Sequence, residues 1–308
     1  MNIDKNTKIY IAGCGGMLGA AVYARFSKEA NVLATDIDVN EPWLQYADVR
    51  DYAAIRKSIE DFAPDAIINL SAITDMEQCE RDPDNAWRTN ALGAENVALA
   101  AALMNVPHIY ISTAGIFGGE KEFFNDFDTP NPLSIYAKSK YAGEMFVKQT
   151  VAKHFVVRAG WMMGGGPRKD KKFVNKIYRQ LVEGKTELMV VDDKLGTPTF
   201  TVDFANGLFT LLKSDAYGTY NQVCPGSCSR YDVALRFVEL LGLDGTVKVN
   251  KVSSDYFATE YFAQRPYSEK LVNMKLEARG LLVMRDWGIC LEEYAAEFAA
   301  DWKQRQSA

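Results

Sequence analysis

Through its first 160 residues this 308-residue chain alternates short apolar runs with helix-like segments, and few folds accommodate that rhythm. "KIYIAG", "NVLATD", "PDAIINLSA", "PHIYISTAG" and "HFVVRAG" read as strands. "MLGAAVYARFSKE", "RDYAAIRKSIEDFA", an Ala-rich stretch from Asp84 to Met104 and another from Tyr136 to Val151 read as helices. Continuous β-branched runs, rather than polar–apolar alternation, imply strands covered on both faces, hence a parallel sheet. Right-handed crossovers then give a doubly wound α/β, Rossmann arrangement.

After Trp161 the rhythm breaks. "GGGPRKDKK" reads as a loop, "ELMVVDD" and "GTYNQV" as strands, and "RYDVALRFVELLG" and "CLEEYAAEFAADWKQ" as helices. The expected division is a dinucleotide-binding domain over residues 1–160 plus about 197–223, with a smaller intertwined α/β substrate lobe over about 161–196 and 224–308.

A net charge of −5 argues against a nucleic-acid or anionic-membrane binder, though an anionic metabolite can still meet a local basic pocket. No apolar run reaches transmembrane or signal-peptide length, so a cytoplasmic protein is expected. The five cysteines are scattered and odd in number, which suits reduced thiols. Cys224 and Cys228 are the closest pair, but the two histidines, His108 and His154, lie far away in sequence and no metal site is expected. Both histidines precede strands and read as structural.

"YIAGCGGMLGA" sets Gly13, Gly16 and Gly19, with an extra Gly15, between the first strand and the first helix. That spacing serves a tight turn, close approach of backbone to a pyrophosphate, and tight helix–strand packing. The anion would rest on the helix N-terminus, where Met17 and Leu18 begin the first turn. Asp36 ends the second strand and is placed to accept the adenosine ribose hydroxyls, with Ile37 beside it. A 2′-phosphate would be repelled there, so NAD is preferred and NADP remains possible. Asp48 and Val49, after the next apolar element, are candidates to meet the adenine.

Tyr136 and Lys140 in "SIYAKSKYAGE" are four residues apart and share a helix face. A free phenol titrates near ~10, but a neighbouring ammonium draws it toward the working range of an acid or base. "ISTAG" ends the fourth strand at the carboxyl edge of the sheet, where Thr113 or its neighbour Ser112 supplies a hydroxyl.

With these residues in place the chain resembles the extended short-chain dehydrogenase/reductase family throughout its length. "GCGGMLG", "NLSA" from Asn69, Asn90, "ISTAG" and "YAKSK" carry the likeness. The resemblance implies that Thr113, Tyr136 and Lys140 form a catalytic triad supported by Asn90, and that Leu70, Ser71 and Ala72 border the cofactor. "DDKLGTPTFTVDFANGL" and "FAQRPYSEKLVNMKLEARG" are similar to stretches of dTDP-4-dehydrorhamnose reductases, which implies reduction of the C4 ketone of a nucleotide-linked 6-deoxy-4-keto sugar. That likeness places Thr113, Ala114, Phe117, Trp161, Thr197 and Arg265 at the substrate, Arg265 on a phosphate. Arg158 and Trp161 fall in the segment that closes over substrate in such enzymes, and the run Arg168, Lys169, Lys171, Lys172 reads mainly as a solvated face.

One departure stands out. Those reductases commonly carry Asp-Tyr after the Ser-(Ser/Thr) pair, whereas this chain has Ala114-Gly115. Two other readings keep the fold: an NAD-dependent epimerase or dehydratase, and a non-catalytic subunit resembling the regulatory partner of methionine adenosyltransferase. The helices at Asp84–Met104 and Tyr136–Val151 offer faces for a homodimer.

Overall fold

The computed structural model describes residues 1–306. Seven parallel strands form the main sheet, in the order Gly218–Asn221, His154–Ala159, His108–Thr113, Ala66–Asn69, Lys8–Ala12, Asn31–Asp36, Leu44–Tyr46. From Lys8–Ala12 the chain first builds outward to one side and then crosses to Ala66–Asn69 on the other. The crevice at the carboxyl ends of those two central strands is therefore the switch point at which such sheets bind ligands. Ile9, Ile11, Ile67, Ile68, Ile109, Val156 and Val157 are buried, as a sheet covered on both faces requires.

Helix boundaries follow local signals. Asp51 caps Tyr52–Phe62 by accepting from the Ala54 N–H, and Ser134 caps Ile135–Thr150 by accepting from Ala137. The edge strand Gly218–Asn221 comes from the second half of the chain, after the helix Thr201–Ser214, which packs on Met17–Phe26 with Phe209 against Phe26. In the second lobe, short strands Cys228–Ser229, Leu195–Gly196, Ser268–Leu271 and Phe123–Phe124 make a four-stranded sheet. Phe123–Phe124 belongs to the first 160 residues, so this sheet is itself shared between the two stretches of sequence.

Two expectations change. The Ala-rich segment is not one helix from Asp84 to Met104. It is Pro83–Trp87, a π-helical turn Arg88–Leu92, and Gly93–Met104. The wider turn pushes the Asn90 carbonyl outward, where the Tyr110 hydroxyl donates to it at 3.4 Å. Gly143 lets the neighbouring helix fit against it: a Cβ there would lie 2.5 Å from the Tyr110 hydroxyl and 2.6 Å from the Asn90 carbonyl. The basic run is also less solvated than its composition suggests. Lys169 pairs with Glu41 at 2.7 Å, Lys172 donates to Thr74, and Asp170 between them is buried against the Tyr294 hydroxyl. Arg168 and Lys171 are exposed as expected.

All five cysteines are free and buried. His108 and His154 open two neighbouring strands in register with each other, and burial holds the imidazole of His108 down at about 4. No described helix is long and apolar enough to cross a membrane.

Candidate active site

The glycine turn is shaped by close approach. Gly13 has φ +73°, and a Cβ on it would sit 2.4 Å from the Ser71 backbone nitrogen. A Cβ on Gly19 would sit 2.0 Å from the Cys14 carbonyl oxygen, which ties the first helix to the first strand. Gly16, the N-cap of that helix, faces open space and carries no side-chain cap, so its end presents bare N–H groups to an incoming anion. Asp36 accepts the Gly15 N–H at 2.8 Å and the Asp38 N–H at 2.9 Å, which fixes its carboxylate at the lip of the turn beside the exposed Ile37. Leu70, Ser71 and Ala72 follow the strand Ala66–Asn69 along the opposite wall, and Met17 lies beneath Gly165 of the second lobe. Together they form a cradle that fits a dinucleotide. Asp48 is held by Arg50 at 2.7 Å and Val49 is buried under Gly93, so the side chains of both are already engaged.

Tyr136 and Lys140 project from the first turns of Ile135–Thr150. Burial pushes the Tyr136 phenol up to about 12, while the Thr113 hydroxyl beside it acts to lower it. Thr113 accepts the Gly115 N–H at 3.1 Å, which leaves its own proton free to donate. Ser112, on the other face of the same strand, points away and donates to the buried Glu144 at 3.0 Å. Thr113, not Ser112, is thus the site hydroxyl. Burial pulls the Lys140 ammonium down to about 7, against the opposing pull of Glu144 one turn along. Its Nζ lies 4.2 Å from the centre of the Tyr110 ring, a contact that recovers part of the lost hydration.

Asn90 does not enter the pocket. Its amide clamps both backbone groups of Ile73, accepting at 2.8 Å and donating at 3.1 Å, and donates to Ser139 at 3.1 Å. Ser139 in turn donates to the Tyr136 carbonyl at 3.0 Å, so Asn90 positions the catalytic helix rather than touching substrate.

Several residues expected at the substrate already have packing partners within the chain. Phe117 is fully buried in a stack with Phe124 at 4.4 Å, and Ala114 lies in the same apolar cluster. Thr197 is buried, and its carbonyl accepts the Trp161 N–H. Arg158 is buried in a 2.6 Å ion pair with Glu144 and contributes to the scaffold. Arg265 pairs with Glu77 at 2.8 Å and donates to the carbonyl of Ala263. Trp161 is half-buried. Its indole lies over Gly196, where a Cβ would come within 2.3 Å of the ring.

Two residues at the site escaped sequence reasoning. The Arg230 guanidinium stacks 3.7 Å from the Trp161 ring centre and has no hydrogen-bond or ion-pair partner among the described residues. Glu269 accepts the Trp161 Nε1–H at 2.7 Å and lies close enough to Tyr136 to raise its phenol further. Neither has a spacing signal, because each reaches the site only through the second lobe's short strands. Among the described residues no cluster of three or more His, Cys, Asp or Glu side chains could hold a metal.

Known proteins with this arrangement are many. Residues 7–300 match the family model described as the RmlD substrate binding domain. The spore coat polysaccharide biosynthesis protein SpsK of Bacillus subtilis is 31% identical over 292 residues, covering 94% of this chain and 98% of that one. A solved dTDP-4-dehydrorhamnose reductase of Clostridium acetobutylicum superposes with a TM-score of 0.86 at 35% identity, over 97% of this chain and all of that one (100%). One from Bacillus anthracis, solved in complex with NADP, has a TM-score of 0.86 at 30% identity over 95% of this chain and 99% of that one.

Proposed function

This chain belongs to the RmlD substrate binding domain family, and from that premise we propose that it reduces the C4 ketone of a nucleotide-linked 6-deoxy-4-keto sugar, with thymidine diphosphate as carrier. The observation that carries the reading is the Thr113 hydroxyl beside Tyr136 at the carboxyl edge of the sheet, with buried Lys140 one turn further along the same helix and a glycine turn suited to a dinucleotide on a neighbouring strand.

The reduced nicotinamide, when bound, supplies a hydride to the carbonyl carbon. Tyr136 is protonated at neutral pH, since burial holds it at about 12, and is therefore a donor poised for the reductive direction. Thr113 holds the carbonyl oxygen with its free proton, and Tyr136 protonates that oxygen as the alkoxide develops. The phenolate left behind is stabilised by charged Lys140 and regains its proton from solvent. Position and charge come from the protein.

The Asp36 carboxylate favours an unphosphorylated ribose, which supports NADH ahead of NADPH. The exposed side chains of Trp87, Leu92 and Leu103 on the Ala-rich helices support a homodimer through that face, which light scattering of the purified protein would test. Free buried thiols support residence in the reducing cytoplasm.

The test is to supply dTDP-4-keto-6-deoxyhexoses with reduced nicotinamide deuterated at its transferable position. The reading requires consumption of the cofactor and deuterium at C4 of the sugar. Consumption without deuterium at C4, or no consumption with any keto sugar, would refute it.

A further inference from the structure

Positions 114 and 115, directly after the catalytic Thr113, carry no polar side chain, yet a carboxylate stands in the space they leave. It comes from Glu269, on the strand Ser268–Leu271 of the second lobe. An ideal Cβ on Gly115 would lie 3.3 Å from Glu269 Oε1 and 3.5 Å from Thr113 Oγ1, so the two oxygens bracket one small volume. Any ordinary side chain at 115 would crowd the carboxylate. Oε2 is occupied by the Trp161 indole N–H at 2.7 Å, whereas Oε1 has no hydrogen-bond partner among the described residues. Arg230 stacks on Trp161, with its guanidinium 3.7 Å from the ring centre, and brings a positive charge to the same side-chain cluster.

An acceptor-only group with one oxygen anchored and the other free is built to receive a hydroxyl proton. That hydroxyl must neighbour the carbonyl oxygen held by Thr113. In a 4-keto pyranose, C5 bears the ring oxygen, so the neighbouring hydroxyl is the one on C3. We propose that Glu269 is a specificity-determining residue that accepts the C3 hydroxyl of the substrate sugar, and that Gly115 exists to make room for it. The proposal deepens the reductase reading and rests on it for the orientation of the sugar.

Glu269→Gln removes the charge while its amide oxygen can still accept from Trp161, so the fold and the indole are preserved; Glu269→Ala removes both. Calorimetric binding of the reduced dTDP-6-deoxyhexose and of its 3-deoxy counterpart, with cofactor present, needs no turnover. The wild type should favour the 3-hydroxyl sugar at least ~10-fold, as sites with a committed polar group do. Glu269→Gln and Glu269→Ala should lose most of that preference with cofactor affinity unchanged. Equal discrimination by wild type and Glu269→Gln would overturn the assignment, whether or not the reductase reading stands.

A second readout separates this role from simple support of Trp161. Tyr136 is faced by the Thr113 hydroxyl, by Glu269, by Cys79 of the helix Met76–Arg81 and by Tyr110 of the central sheet, with Lys140 one turn along its own helix. Of these, Glu269 and Cys79 oppose ionisation of the phenol, so at saturating cofactor, which holds Lys140 charged, Glu269→Gln should move the alkaline limb of kcat/KM for the sugar to lower pH. An unmoved limb together with unchanged discrimination would leave Glu269 as packing only, and the proposal would fail.

Discussion

The two ends of the active-site crevice are built by different means. At the cofactor end, the turn from Gly13 to Gly19, Asp36 and Ser71 all hang from the carboxyl ends of three adjacent central strands, and each contact is dictated by local spacing. At the substrate end, Gly115 follows a main-sheet strand, whereas Trp161, Arg230 and Glu269 come from three distant segments on or beside strands of two to four residues. A parallel sheet with helices on both faces leaves little freedom in how a strand–turn–helix presents its backbone. Short strands in a small lobe leave side-chain identity free to change, and with it the substrate.

That contrast can be broken most forcefully at Lys140, which serves both ends. Lys140→Met should lower turnover by about 10²–10⁴-fold, yet the cofactor-free protein should melt at a higher temperature, because the variant no longer buries an ammonium. The sign follows from the direction of the shift: Lys140 titrates at about 7 when folded against 10.5 ordinarily, so between those values the unfolded chain binds the extra proton. Stability of the cofactor-free protein should therefore rise with pH across that window, and cofactor affinity should fall as pH rises through about 7. Lys140→Met should flatten both dependences, which thermal melts and a fluorescence titration would read.

Gly13→Ala attacks the cofactor end alone. The new methyl meets Ser71 backbone atoms at 2.4–2.5 Å with φ +73°, so we expect a loss of a few kcal/mol in stability and a cofactor affinity at least ~10-fold weaker. A denaturant melt and direct titration measure the two.

At the substrate end, Arg230→Ala should raise the KM for the sugar nucleotide roughly 10-fold with little change in kcat, as loss of uniform binding does. Arg265→Ala should spare KM and instead cost about 1 kcal/mol of stability through its tie to Glu77. The reverse pattern in steady-state kinetics would show that Arg265 turns from Glu77 to the phosphate on binding. The smallest effect belongs to Asp36→Asn, which should shift the NADH-to-NADPH ratio of kcat/KM by a few-fold toward NADPH while leaving the KM for the sugar unchanged.

The same contrast explains what could be read from sequence. Gly13, Gly16, Gly19 and Asp36 were legible because an anion-binding helix end and a ribose carboxylate fix both residue type and spacing. Tyr136 and Lys140 were legible as an i, i+4 pair, and Thr113 as a hydroxyl at a strand end. The π-helical turn at Asn90 was not, since nothing in an Ala-rich run announces a widened turn whose partner, Gly143, lies in another helix. The burial of Ala114 and Phe117 was not legible, because adjacency to Thr113 in sequence says nothing about which way the 3₁₀ turn Ala114–Ile116 and its cap point their side chains. Arg230 was not legible for a similar reason: a guanidinium is assigned by its partners, and even the Glu77 partner of Arg265 lies 188 residues away in sequence. Glu269 sits four residues beyond Arg265 and differs from any surface glutamate only through its contacts with Trp161 and Gly115.

The central claim is that Tyr136, held protonated by burial beside Thr113 and Lys140, gives its proton to a sugar ketone. Its most direct test is a single-turnover measurement of nicotinamide oxidation by the wild type and Tyr136→Phe, each preloaded with reduced cofactor and mixed with a dTDP-4-keto-6-deoxyhexose. The account predicts rapid oxidation by the wild type and a loss of about 10²–10⁴-fold in the variant, with cofactor affinity unchanged. Oxidation at the wild-type rate in Tyr136→Phe would contradict it and move the proton donor elsewhere in the site.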